Sequence, residues 1–247
     1  MIGGGSIFGQ LPSVVKNLLI INGLMFLATI LAQNSAIDLA DFLGLHHWSS
    51  ELFKPHQLVT YMFMHGGFGH LFSNMFGLFM FGRVLEQVWG AKRFLIFYML
   101  CGIGAGLIQL IVTELRIQSL IVDIDPRLYQ VVLDEGLSVL ESGKNYVEPT
   151  AGKLNYLINI STVGASGSIF GILLAFGMLF PNVELMLLFL PIPIKAKYFV
   201  TFYGIFELYQ GFANNPNDNV AHFAHLGGML IAFILIRYWK KNTGNYY

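Results

Sequence analysis

Apolar and polar positions alternate along this chain in long blocks, and six of the apolar blocks are read as membrane-crossing helices. A bilayer core needs about 20 residues of helix. The blocks lie near residues 18–32, 70–88, 94–112, 164–180, 196–212 and 221–239. Gly102, Gly104 and Gly106 give the third a smooth contact face, Glu207 lies inside the fifth, and Lys240 and Lys241 close the sixth. Residues 185–194 are apolar but too short to cross, and Pro191 and Pro193 break them as a helix.

The polar segments fill in the rest. Residues 1–13 are Gly-rich with no charged side chain and read as a flexible lead, residues 14–240 as one membrane domain, and 241–247 as a tail. A cleaved signal peptide is the alternative for the first apolar block, but the later blocks place the whole chain in the membrane. Residues 33–57 mix Asp38, Asp41, Glu51 and Lys54 with Trp48 and Phe53, as in a loop lying at the lipid interface, and His46, His47 and His56 are expected there as solvated residues. Residues 114–160 form a long polar insertion. Within it, Asp125-Pro126, then Leu128, Val131, Val132, Leu137 and Leu140, then Gly143 spell an amphipathic helix with cap, first-turn proline and terminal glycine.

Composition agrees with a lipid solvent. Of 247 residues, 55% are hydrophobic and 11% charged, with a mean hydropathy of +0.62. The formal net charge is zero and no basic run occurs, so nucleic acid is excluded as an expected partner. The one cysteine, Cys101, rules out an intrachain disulfide and reads as a buried small hydrophobe. With the N-terminus inside, Lys16, Arg83, Lys92, Arg93, Lys195, Lys197, Arg237, Lys240 and Lys241 all fall on the inner side, so the expected topology is N-in, C-in.

That orientation makes blocks two, four and six run outside to inside, and each carries polar residues near its outer end: His70 and Asn74, then Ser166, then His222 and His225. At 1.5 Å per residue they share a depth of roughly 10 Å or less below the outer surface. Polar groups inside a membrane are costly and face partners or a water-filled cavity. The small residues around Ser166, with Gly167 and Gly171 spaced as Gly-x-x-x-Gly, have a packing meaning of their own. Serine needs a base, which histidine supplies, and acyl transfer needs donors aimed at the oxyanion, which His, Asn and a backbone N–H supply. The set fits a Ser-His dyad. No carboxylate stands in the three outer helix ends, so a triad is not expected.

These residues carry a resemblance. His65-x4-His70-x3-Asn74, Gly164-x-Ser166-Gly167 and Ala224-His225-x-x-Gly228, in this order and with Glu86 and Gly90 as further matches, resemble the rhomboid intramembrane serine proteases over nearly the whole chain outside the insertion. The resemblance implies an all-α bundle of six transmembrane helices with a water-filled site opening outward. It implies Ser166 as nucleophile, His225 as general base, and His70 and Asn74 with the Ser166 N–H as oxyanion hole. Gly164, Gly167, Phe170 and Gly228 are expected to support the site. It implies single-pass transmembrane proteins as substrates, with the fifth helix involved in their lateral entry, and no cofactor or metal. The expected setting is a bacterial inner membrane, with the site on the extracytoplasmic side. Two positions depart from the family pattern: Ala232 replaces a glycine, and Phe170 replaces a tyrosine, keeping the ring that stacks on the histidine.

Blander roles are expected for the remaining polar residues. His65 packs a loop, His222 could compete as base but the Ala-His-x-x-Gly match favours His225, Glu207 pairs within the bundle or faces the polar cavity, with a structural partner favoured, and Glu86 and Arg83 pair at i,i+3 or snorkel. Two other functions are weighed. A histidine-ligated metal or haem protein lacks a carboxylate to orient its ligands and leaves Ser166 and Asn74 without a role. A non-proteolytic client-binding scaffold does not need both the serine and the histidine.

Overall fold

The structure is a computed structural model that describes residues 11–32, 38–187, 190–213 and 220–243. In chain order the elements are α1 (Ser13–Ala32), α2 (Leu39–Leu43), α3 (Gln57–Thr60) with a 3-10 turn (Tyr61–Phe63), α4 (Phe68–Gly77), a π-helical stretch (Leu78–Gly82), and α5 (Arg83–Trp89). Then come α6 (Ala91–Ile121), α7 (Pro126–Glu141), α8 (Pro149–Asn159), α9 (Ser166–Leu179), the strands β1 (Glu184–Leu187) and β2 (Leu190–Lys195), α10 (Ala196–Ala213) and α11 (His222–Thr243).

Among the described residues, α1, α6 and α11 are long and apolar enough to cross a membrane, and α9 is shorter but apolar. Each of the six expected blocks coincides with helix, the second being the run α4, π stretch and α5. Most of the expected lead lies outside the described residues, as does most of the tail, although α11 runs on to Thr243.

α9 is the central element, packed against α6 and α11. Small residues allow this. A Cβ at Gly228 would strike the carbonyl oxygen of Gly167, one at Gly167 would strike Ala105, and one at Gly171 would come 2.8 Å from Cys101 Sγ. Ala232, where the family glycine is missing, is wholly buried in the same core, so it is still small enough for the contact. Cys101 is buried, as expected.

Several expectations are corrected. The fold is not purely α-helical: the stretch with Pro191 and Pro193 forms an antiparallel hairpin, pairing Glu184 with Lys195 and Leu185 with Ile194. α6 continues unbroken to Ile121, into the first residues of the expected insertion. Asp125 caps α7 as expected, and Gly143 adopts a positive φ of 73° just beyond it. Ile117, Ile124, Val132, Ala151, Leu154 and Ile158 form a second apolar core, shared by α6, α7 and α8. His46 and His47 are buried rather than solvated, while His56 is exposed as expected. Glu86 does not serve Arg83: its carboxylate accepts the N–H groups of Val14 (2.9 Å) and Val15 (2.8 Å) and so caps α1 from a distance. The first N–H groups of a helix have no partner within it, so a buried carboxylate there stabilises the helix end.

Candidate active site

The segment that delivers Ser166 is clamped before α9 begins. Leu45 and Thr162 exchange two backbone hydrogen bonds, of 2.9 and 2.8 Å, and the Gly164 N–H donates to the Tyr61 carbonyl at 2.9 Å. Tyr61 is itself anchored by its hydroxyl, which donates to Gly102 O at 2.7 Å. Buried Gln57 ties the preceding loop together: its Oε1 accepts the N–H groups of His46 and Lys54, and its Nε2 donates to Leu52 O. Gly164 has φ +130°, a conformation that favours glycine, and a Cβ there would meet His70 Nε2 at 2.7 Å.

Ser166 is the first residue of α9, and Ala165 before it makes no side-chain cap. The first N–H groups of α9 are therefore available beside the serine, at the positive end of the helix dipole. Ser166 Oγ lies 2.8 Å from His225 Nε2. Phe170, one turn along, stacks on the His225 ring with centroids 4.1 Å apart and planes 9° from parallel. These contacts bring three of the sequence-derived site residues together.

His70 flanks the same place. The point where a Gly164 Cβ would sit is 2.7 Å from His70 Nε2 and 3.6 Å from Ser166 Oγ. The Gly66 N–H donates to His70 Nδ1 over a long 3.4 Å, which leaves the ring proton on Nε2, facing the serine side. Asn74 is buried and its Nδ2 donates to His70 O at 2.9 Å. An amide nitrogen carries two hydrogens, and this bond uses one of them. His65 packs its ring edge-on to His70 at 5.1 Å, the loop-packing role expected of it.

The expectation that no carboxylate serves the site is overturned. Glu207 Oε2 lies 2.8 Å from His225 Nδ1 and 2.7 Å from His222 Nδ1. All three residues are buried. His222 therefore faces the carboxylate rather than competing for Ser166. A signal for Glu207 is present in the sequence: on the expected topology α10 runs inner to outer, and six residues back from its outer end is about 9 Å, the depth expected of the other polar groups. The want of a carboxylate, which counts against the metal alternative in the sequence, is also made good here. Glu207, His222 and His225 offer ligand atoms within 4.8 Å of one another, a set that could hold a divalent ion. The 2.7 and 2.8 Å separations are those of N–H···O hydrogen bonds.

Comparison with known proteins places the chain in a family. Residues 52–241 match the family model for the rhomboid domain, and the chain belongs to the rhomboid family. It is similar to "Putative rhomboid protease YdcA" of Bacillus subtilis, 28% identical over 73% of this chain and 67% of that protein. It is also similar to two Arabidopsis thaliana proteins. "Rhomboid-like protein 16, chloroplastic" is 26% identical over 90% of this chain. "RHOMBOID-like protein 12, mitochondrial" is 28% identical over 73% of it. The matches span 60% and 45% of those two proteins' own lengths. Family membership and the apolar helices point to an integral membrane protein.

Proposed function

We propose that this protein is an intramembrane serine endopeptidase that hydrolyses peptide bonds in or near the transmembrane segment of single-pass membrane proteins. The observation that carries this reading is the 2.8 Å contact between Ser166 Oγ and His225 Nε2 among apolar helices. A hydroxyl held against an imidazole is the pairing that activates a serine.

In the proposed reaction Ser166 Oγ attacks the scissile carbonyl while His225 Nε2 takes its proton. The oxyanion is held by the Ser166 N–H, His70 Nε2–H and the second Asn74 amide hydrogen. Collapse expels the amine, which receives the proton from His225; water then attacks the acyl carbonyl while His225 Nε2 takes its proton, and that proton returns to Ser166 Oγ as the acid product leaves. Helical substrate backbone is already hydrogen-bonded, so segments with Gly, Ala or helix breakers, which unwind easily, are the preferred clients.

The same reading has six spans, with both termini inside and the site opening to the extracytoplasmic face. The basic residues support it, and Arg93 stacks over Trp239 at 4.2 Å, an aromatic-cationic cluster typical of a membrane boundary. A bacterial inner membrane is the proposed setting. Relatives named mitochondrial and chloroplastic make an organelle membrane the alternative, which localisation of a tagged protein decides.

A serine-directed fluorophosphonate tests the proposal. It is expected to label Ser166 in the wild type and to label neither Ser166→Ala nor His225→Ala. Absence of labelling in folded wild type would favour a client-binding scaffold.

A further inference from the structure

In the described structure the base of the site is not a lone histidine. His225 has two ring nitrogens and both are engaged: Nε2 with Ser166 Oγ at 2.8 Å and Nδ1 with Glu207 Oε2 at 2.8 Å. A neutral imidazole carries its proton on one nitrogen only, and for His225 to accept from serine that proton must be on Nδ1. Left to itself the ring would exchange between two tautomers, one of them useless as a base. A carboxylate oxygen facing Nδ1 accepts a hydrogen bond from the useful tautomer and offers nothing to the other.

Glu207 is in turn held. Its chain comes from α10, whose other buried residues are Ala196, Val200 and Gly211, a narrow stripe facing the bundle. Oε2 is shared with His222 Nδ1 at 2.7 Å, so one oxygen meets two ring nitrogens from the same face of α11. One oxygen cannot donate to both, so at least one ring donates to it, and an ionised carboxylate accepts from both. The outer end of α10 is also fastened to α6, where Arg116 Nη2 donates to Gly211 O at 2.8 Å.

We infer that Glu207, held by His222, is the positioning carboxylate of a Ser166–His225–Glu207 triad that fixes His225 with its proton on Nδ1. The inference rests on the protease reading. In the acylation step the Ser166 proton moves to Nε2, giving an imidazolium with protons on both nitrogens. Nδ1–H stays hydrogen-bonded to Glu207, which remains a carboxylate throughout, and Nε2 then delivers its proton to the leaving amine. Glu207 never touches substrate. Its contribution is the tautomer, the ring orientation and a countercharge for the imidazolium.

The test uses the full chain in detergent or liposomes, with a model transmembrane substrate. Glu207→Gln keeps the shape but replaces the acceptor-only group with one that can also donate to Nδ1, and so support the wrong tautomer. It is expected to lower kcat by about 10- to 1,000-fold with KM within about twofold, and to slow fluorophosphonate labelling in parallel. Glu207→Asp is expected to recover part of the loss. His222→Asn, whose amide nitrogen can stand in for Nδ1–H, is expected to exceed His222→Ala. Wild-type activity is expected to survive a chelator. In ¹⁵N-histidine NMR the His225 Nδ1–H signal of folded wild type is expected far downfield, and to move back in Glu207→Gln.

The inference is overturned if folded Glu207→Gln keeps wild-type kcat, or if its loss follows thermal stability alone while the histidine signal is unchanged. Loss of wild-type activity on chelation would overturn it in favour of a metal. Those outcomes leave the protease reading intact as long as wild type cleaves and Ser166→Ala does not. If both cleave equally, the protease reading fails and the inference with it.

Discussion

Phe170 lies flat on the imidazole of His225, 4.1 Å between centroids and 9° between planes. The same ring also approaches Tyr203 of α10, with centroids 5.9 Å apart. The ring thus holds His225 against sideways motion while Glu207 holds it end-on. An aromatic pair is worth about 0.5–1.5 kcal/mol beyond its burial. Phe170→Leu is therefore expected to lower kcat/KM by about 2- to 10-fold, and Phe170→Tyr to stay near wild type. Steady-state cleavage with matched protein amounts checks this, and equal activity of the leucine variant would contradict it.

The contact of Gly228 with the Gly167 carbonyl sets the separation of α9 and α11, and with it the reach of His225 to Ser166. Gly228→Ala is expected to force the helices apart, cost about 1–3 kcal/mol as overpacking does, and abolish cleavage. Thermal unfolding in detergent measures the first effect and substrate cleavage the second.

Glu86 offers a contrast, because its role is far from the serine. Removing it leaves the N–H groups of Val14 and Val15, which it accepts at 2.9 and 2.8 Å, without their carboxylate. Glu86→Ala is expected to cost about 1–3 kcal/mol of stability. The protein that remains folded is expected to keep wild-type kcat. A kcat loss larger than the folded fraction explains would contradict this assignment.

The loop before α3 predicts a pH effect. Burial pushes His46 and His47 below the usual histidine range, opposed by Asp41 and Glu114 respectively. Unfolding frees them to bind protons at about pH 6.5. The unfolded state therefore binds more protons in this region, and stability is full above about pH 6.5 and falls as pH drops toward the lowered folded values. Melting temperature measured across pH 7.5 to about 4.5 is expected to decline in wild type and to decline less in the His46→Gln/His47→Gln variant. Parallel curves would contradict it.

Much of the site was legible because its residues sit at helix starts, where offset along the chain converts directly into depth. Ser166, His225, His70 and Asn74 are singled out in this way, Phe170 only through the family resemblance, and the helical blocks follow from their apolar lengths. Glu207 escaped because depth was counted only on helices running outside to inside, and a lone carboxylate in an apolar block reads as a generic buried partner. Glu86, His46 and His47 escaped for a different reason: their surroundings come from segments remote in sequence, and no local pattern encodes them. The hairpin was misjudged because Pro191 and Pro193 exclude helix without announcing strand.

Every role given to Ser166 and His225 depends on proteolysis itself. The direct measurement is cleavage of a model single-pass substrate in liposomes by wild type, Ser166→Ala and His225→Ala. Product from wild type and none from either variant is the predicted result, and equal product from the Ser166→Ala variant and wild type would contradict it.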